Sequence, residues 1–343
     1  ISTTTNELTN DFIRQFNCVI ITEPRPYSSL MELSEFCHQN NIYFIIALTR
    51  GVFGLIFDDF GDDFFVKEPS SEKPTRFLIE SISNDTNGIV TTNRKDPHGL
   101  TNENHVIFNQ IEGMTELNGK EFPVKVINST TFSIGDTSSF HPFETGSNSG
   151  YGTQVILPVT RHFKELKEAI KEPQFVEYEF AAIGRNEQVL LCYLSLFKSI
   201  EENDTSFENI LKNANILNTE LHIAPDGVQE QIVREFVRED CEISPTVAVI
   251  GGFAAQESIK SVSGKFLPLH MFYTMAYLEA LQPIDDPSFT VTINNDRYDA
   301  YRLVFGDAQF EKMAELRYFM VGSGALGCEL LKNWAMMGVA TKG

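Results

Sequence analysis

The chain has 343 residues, with Lys+Arg 27 against Asp+Glu 47 and a formal net charge of −20. So acidic a surface cannot replace the counterions of nucleic acid or of an anionic membrane, so neither is expected as a partner. Five widely spaced cysteines (Cys18, Cys37, Cys192, Cys241 and Cys328) without a C-x-x-C pair argue against disulfides or a zinc site and fit an intracellular compartment.

The length predicts two or three domains, and no apolar run reaches membrane-spanning length. Asn17 to Thr22 reads as a buried strand. Ser28 or Ser29 would cap a helix whose apolar positions Leu30, Leu33, Phe36 and Cys37 recur at three-and-four spacing. Tyr43 to Leu48 is a second buried strand, so strand, helix and strand form a right-handed parallel crossover, the signature of an α/β fold. Pro24 and Pro26 stand where a phosphate-binding unit would carry glycines. His38 reads as a surface residue near the helix C-terminus. Arg50, after the second strand, sits where ligands are met in such folds, with an ion pair to Asp58, Asp59, Asp62 or Asp63 as the competing expectation. That acidic run reads as a solvated face and not as a metal site.

Glu68-Pro69-Ser70-Ser71-Glu72-Lys73-Pro74 reads as a linker. Beyond it come short β-rich runs: Arg76–Ile82, Ile89–Thr92, His105–Phe108, Phe122–Ile127, Thr131–Ile134 and Thr153–Leu157. Asn87-Gly88 and Asn118-Gly119 supply hairpin signals, and six short strands in so little chain predict a small barrel or sandwich. His98, His105 and His141 lack ligand spacing and read as surface residues. From Thr160 the period turns helical around Phe163–Ile170, Val189–Phe197, Phe207–Leu217 and Val228–Val237, which predicts four helices. Ser244-Pro245 opens a longer helix that Gly264 stops, with Gly251-Gly252 inside it read as a close-packing site. Gln282-Pro283-Ile284-Asp285-Asp286-Pro287 is a second linker.

Near the end, Tyr318–Val321 reads as a buried strand, Gly322, Gly324 and Gly327 follow at G-x-G-x-x-G spacing, and Glu329–Ala335 reads as a helix. This order builds a phosphate cradle from a tight turn, backbone amides open to an anion, and close helix–strand contact. By itself the spacing also fits a nicotinamide-dependent dehydrogenase, which the inserted β and helical segments disfavour.

Four stretches together carry a resemblance. They are Ala47–Gly54 with Asp59-Phe60-Gly61; His98-Gly99-Leu100 with Gln110–Gly119; Gly251–Glu257 with Ser263–Phe266; and Arg297-Tyr298-Asp299 with Val321–Asn333. In wording and order these resemble the ubiquitin-activating enzymes over essentially the whole chain. The resemblance implies an α/β, Rossmann-like adenylation fold of the ThiF/MoeB type with an inserted small β-barrel and a helical bundle. Residues 1–68 would be the first part of an inactive adenylation domain and 69–158 the first catalytic-cysteine half-domain. A four-helix insert would span 159–243, the inactive domain would return at 244–286, and 287–343 would begin the active adenylation domain. It implies ATP and Mg²⁺ as cofactors of the full-length enzyme, with Gly322, Ser323, Gly324, Ala325 and Gly327 at the nucleotide and no catalytic or metal-binding residue in this stretch. Ubiquitin is the implied partner, with ubiquitin-conjugating enzymes met through other regions, in a monomer of the cytoplasm and nucleus. Where the family's ATP-completing half has an arginine after its tyrosine–acid pair, this chain has Ala300 after Tyr298-Asp299, so that half-site is not expected here. Ile1 and Gly343 at the ends suggest a fragment, which on this resemblance is inactive alone. The rival expectations are an activating enzyme for another ubiquitin-like modifier and a non-catalytic docking scaffold.

Overall fold

The computed structural model describes residues 9–93, 97–145, 150–176, 184–283 and 286–342; Ile284 and Asp285 of the expected second linker lie outside them. After a four-residue helical turn at Asn10–Ile13 come, in chain order, β1 (Cys18–Ile21), α1 (Tyr27–Gln39), β2 (Tyr43–Arg50) and β3 (Phe53–Asp59). Of the short strands that follow, seven make one sheet: β4 (Arg76–Ile82), β5 (Ile89–Thr92), β6 (His105–Asn109), β7 (Glu121–Pro123), β8 (Lys125–Asn128), β9 (Thr131–Ser133) and β10 (Tyr151–Val155). Helices α2 (Arg185–Glu201), α3 (Phe207–Leu221), α4 (Glu230–Arg238) and α5 (Ser244–Ser263) lead to β11 (Phe272–Ala276), and α6 (Asp299–Glu315) and α7 (Ala325–Met337) close the chain. The chain is therefore a mixed α/β protein. It divides into two units, one of Ile1–Phe64, Arg161–Ser263 and Pro268–Gly343, the other of Phe65–Thr160 with Gly264–Leu267.

In the first unit the sheet order is β1-β2-β3-β11. β1 and β2 run parallel, as the strand–helix–strand pattern requires, whereas β2–β3 and β3–β11 are antiparallel. The apolar run after Gly51 is thus the return arm of a hairpin. All seven β3 residues are buried, because the strand is central and helices cover both faces. The period of two then sorts its side chains. Phe53 meets Phe236 of α4 and Asp59 meets His38 of α1, while Gly54 lies under Ile250 and Asp58 faces Glu257, both from α5. Helix α1 begins at Tyr27 after Pro26, with no side-chain cap, so neither Ser28 nor Ser29 performs that role. Of the four helices expected after Thr160, the first is a four-residue turn, Leu166–Ala169, and the other three are α2 to α4.

The second unit is one antiparallel sheet of order β7-β6-β10-β4-β5-β9-β8. Its core contains Phe77, Val90, Val106, Phe108, Met114, Leu117 and Phe132. The β4–β5 turn has the expected Asn-Gly, with Gly88 at φ +48° and Asp85 accepting from the Asn87 and Gly88 amides. Asn118 works differently. Its side chain pairs with both main-chain groups of Ile111, accepting at 2.8 Å and donating at 2.9 Å, and so pins a loop. The single run expected over Phe122–Ile127 is two strands separated by Val124, because Pro123 has no amide to continue a ladder. His98 is no surface residue: it is buried, bonded to Asn128 O and to the Leu100 amide, between Phe77 and Phe132. His105 and His141 do stand at the surface, each against a glutamate, Glu121 and Glu116.

Candidate functional site

Gly322 turns the chain at φ +96°, Gly324 is the N-cap of α7, and Cys328 N–H donates to Gly324 O at 2.9 Å. The amides of Ala325, Leu326 and Gly327 stand in the first turn, where a helix supplies no acceptor of its own, and no side chain caps them. They form a ready anion-binding end, with the partial positive charge of the helix dipole behind it. Among the described residues a Cβ at Gly322 or Gly324 would meet no atom within 4 Å, so the mouth of the turn is open to them. A Cβ on Gly327 would stand 2.5 Å from Gly322 O. Only glycine permits that approach of helix to turn. Ser323 and Ala325 are exposed beside these groups. Phosphate oxygens of a nucleotide fit this cradle of open amides.

The flanks only partly match expectation. Glu329–Ala335 lies within α7, but Tyr318–Val321 forms no strand, and Phe319 and Val321 are 93% and 87% exposed. A buried parallel strand needs neighbours on both edges, and no described strand pairs with this segment. Tyr318 instead stacks on Trp334, with ring centroids 4.7 Å apart. Cys328 is exposed, its thiol on Ser323 O at 3.3 Å.

Arg50 does not reach the acidic run. Its guanidinium donates to Phe236 O at 2.7 Å, Val237 O at 3.1 Å and Asp240 at 2.7 Å, so it clamps the end of α4 against the β2–β3 hairpin. Beside it Gly51, at φ +53°, leaves room for the buried Glu239, whose Oε2 accepts the Val52 amide at 2.6 Å. Burial pushes the Glu239 carboxyl up to about 7. Nor is the acidic run one solvated face. Asp62 and Asp63 are exposed, but Asp58 and Asp59 are sealed inside, on opposite faces of the sheet. His38 Nδ1 meets Asp59 at 2.9 Å and Nε2 meets Asp62 at 3.3 Å. Despite burial, the aspartates hold the His38 imidazole above its usual range. Among the described residues no group of three metal-ligating side chains assembles, and no helix is long and apolar enough to cross a membrane.

Gly251 and Gly252 are exposed, and a Cβ on either would meet nothing within 4 Å, so among the described residues they serve no close packing. Glu239 and the Asp58–Glu257 pair escaped the sequence reading. One signal was available for Glu257: it lies on the stripe Ile250, Ala254, Glu257, Ser261 of α5, where spacing alone assigns a buried position.

The antiparallel unit gives the class first: residues 85–156 match the family model described as the ubiquitin-activating enzyme E1 FCCH domain. The rest of the chain agrees. It is 35% identical over 98% of its length to ubiquitin-like modifier-activating enzyme 1 of Oryctolagus cuniculus, covering 33% of that protein. Against ubiquitin-activating enzyme E1 1 of Schizosaccharomyces pombe the identity is 36% over 98% of the chain and 34% of the relative. Against ubiquitin-like modifier-activating enzyme 6 of Homo sapiens it is 33%, over 98% of the chain and 33% of the relative. The chain is thus similar over nearly its whole length to proteins named as ubiquitin- or ubiquitin-like modifier-activating enzymes, and spans about a third of the length of these curated relatives.

Proposed function

We propose that this chain is part of an ATP-dependent ubiquitin-activating enzyme, which adenylates the ubiquitin C-terminus and passes it to a cysteine as a thioester. What carries the proposal is the similarity over 98% of the chain to proteins named as modifier-activating enzymes, joined to the E1 FCCH match. In this reading the first unit, up to Pro287, is the inactive adenylation half, a Rossmann-like sheet of the ThiF/MoeB type carrying the helical insert α2–α4. The second unit is the small inserted β domain, and the chain from Pro287 begins the active half.

Within that scheme Gly322, Ser323, Gly324, Ala325 and Gly327 hold phosphate oxygens of ATP through main-chain amides, with Gly327 keeping α7 close to the turn. ATP, used with Mg²⁺, supplies the phosphoanhydride that activates a carboxylate. The chain's own contribution is to fix the nucleotide's position and offer ubiquitin-binding surface; the ubiquitin-conjugating enzymes are met elsewhere in a longer protein, in the cytoplasm and nucleus.

The test pairs two measurements on this chain. Calorimetric titration with ubiquitin at low salt is expected to give heat, and ATP–pyrophosphate exchange with ubiquitin is expected to be absent. No heat at high ubiquitin concentration counts against the binding role, and robust exchange overturns the division of labour. Two of these relatives are named for a ubiquitin-like modifier, which supports one variant of the reading, activation of another ubiquitin-like modifier. Titration with such modifiers beside ubiquitin separates the two.

A further inference from the structure

The carboxyl end of β3 sends Asp58 into the interior toward α5. Both of its oxygens are closed to solvent, and neither meets an N–H or O–H donor among the described residues. What faces it is a second acid, Glu257 of α5, itself fully buried. Both Glu257 oxygens already accept, Oε1 from Lys260 Nζ at 2.5 Å and Oε2 from the Leu269 amide at 2.9 Å. The remaining surroundings offer Asp58 no compensation. β1 contributes the Cys18 thiol, which burial pushes up to about 11, and β2 the apolar Ile45 opposite Asp58 in the ladder. Asp59 points to the other face, to His38, and the Met271 carbonyl is taken by the Asp58 amide. Among the described residues Lys260 is therefore the one cation set against two carboxyls.

Two carboxylates facing each other are two acceptors, and a negative charge left over in a dry interior is expensive. One proton resolves both problems. We propose that Asp58 is held as a neutral carboxylic acid whose O–H donates to the Glu257 carboxylate, and that this proton latches α5 to β3. Burial first, and the Glu257 charge second, hold the Asp58 carboxyl well above the usual carboxylate range. Glu257 is the only acidic residue on α5, and the helix's outer face carries the exposed Val247, Ile259 and Val262, so the latch fixes how that face is presented. As pH rises through the folded-state value of Asp58 the proton leaves and the two carboxylates repel. A raised acid stabilises the fold fully below its unfolded value, and that contribution is lost on the alkaline side.

The test uses the whole chain. Infrared spectra of wild type labelled at aspartate are expected to hold a protonated-carboxyl C=O band at neutral pH, absent from Asp58→Asn. The amide side chain of D58N keeps a donor toward Glu257 but cannot titrate, so the urea midpoint of D58N relative to wild type is expected to rise as pH increases above the ordinary aspartate range. Absence of the band in wild type overturns the proposal even if D58N fails to fold. So does a D58N midpoint that tracks wild type at every pH.

Discussion

Glu239 offers the sharpest quantitative prediction. Its carboxyl is buried against the β2–β3 turn, accepts the Val52 amide, and is pushed from 4.5 to about 7, chiefly by burial. At ~1.36 kcal/mol per pKa unit this corresponds to about 3 kcal/mol of differential stability. The sign follows from proton binding. Between the unfolded and folded values the native state holds more protons, so stability falls as pH rises. The contribution is complete below 4.5 and gone once the pH has passed about 7. Glu239→Gln removes the titration while leaving an oxygen for Val52 N–H. Urea unfolding followed by far-ultraviolet circular dichroism should therefore show E239Q gaining on wild type by up to ~3 kcal/mol between about pH 5 and about pH 8. If the two proteins keep a constant difference across that range, Glu239 is ionised throughout and the account of the clamp is wrong.

Other perturbations have equally definite outcomes. Gly51→Ala must hold a left-handed backbone and bring a methyl to 1.8 Å from Glu239 Oε2, so a loss of about 2 kcal/mol or more is expected in the same urea assay. Asn118→Ala strips Ile111 of both main-chain partners; a loss of about 1–3 kcal/mol and faster exchange of the Ile111 amide are expected by hydrogen-exchange NMR. Gly327→Val would drive α7 away from Gly322 O and separate Trp334 from Tyr318. Emission from Trp334, the only tryptophan, should report this, and an unchanged spectrum would mean the turn tolerates a side chain.

Much of the architecture was legible because period and punctuation agreed. The β1–α1–β2 crossover, the Ser244-to-Gly264 helix and the short-strand segment each had a hydrophobic period bounded by Pro, Gly or Asn-Gly. What escaped was set by tertiary partners. Acidic residues in a row suggest solvent, yet Asp58 and Asp59 end a strand covered on both faces, so alternation forces both inside in opposite directions. Arg50 follows the same logic: its position was visible, but its acceptors are carbonyls at the end of α4, far along the chain, which no local pattern encodes. In the candidate nucleotide turn the glycine spacing was plain, whereas the apolar character of Tyr318–Val321 could not say whether neighbouring strands would cover it. The buried His98 was missed because an isolated histidine carries no period at all.

The seven-stranded unit has one further consequence. Its two outermost strands, β7 and β8, are consecutive in the chain and joined through Val124 alone. Successive Cα atoms lie about 3.8 Å apart, so the two margins of the sheet are tethered within a few ångströms of each other at that point. Each margin is also only three or four residues long, and Pro123 lies on one of them. A short margin interrupted by proline is a poor template for a foreign strand. The unit is in this way guarded against edge-to-edge association, and a change that lengthened either margin, such as replacing Pro123 by a β-branched residue, would remove that guard.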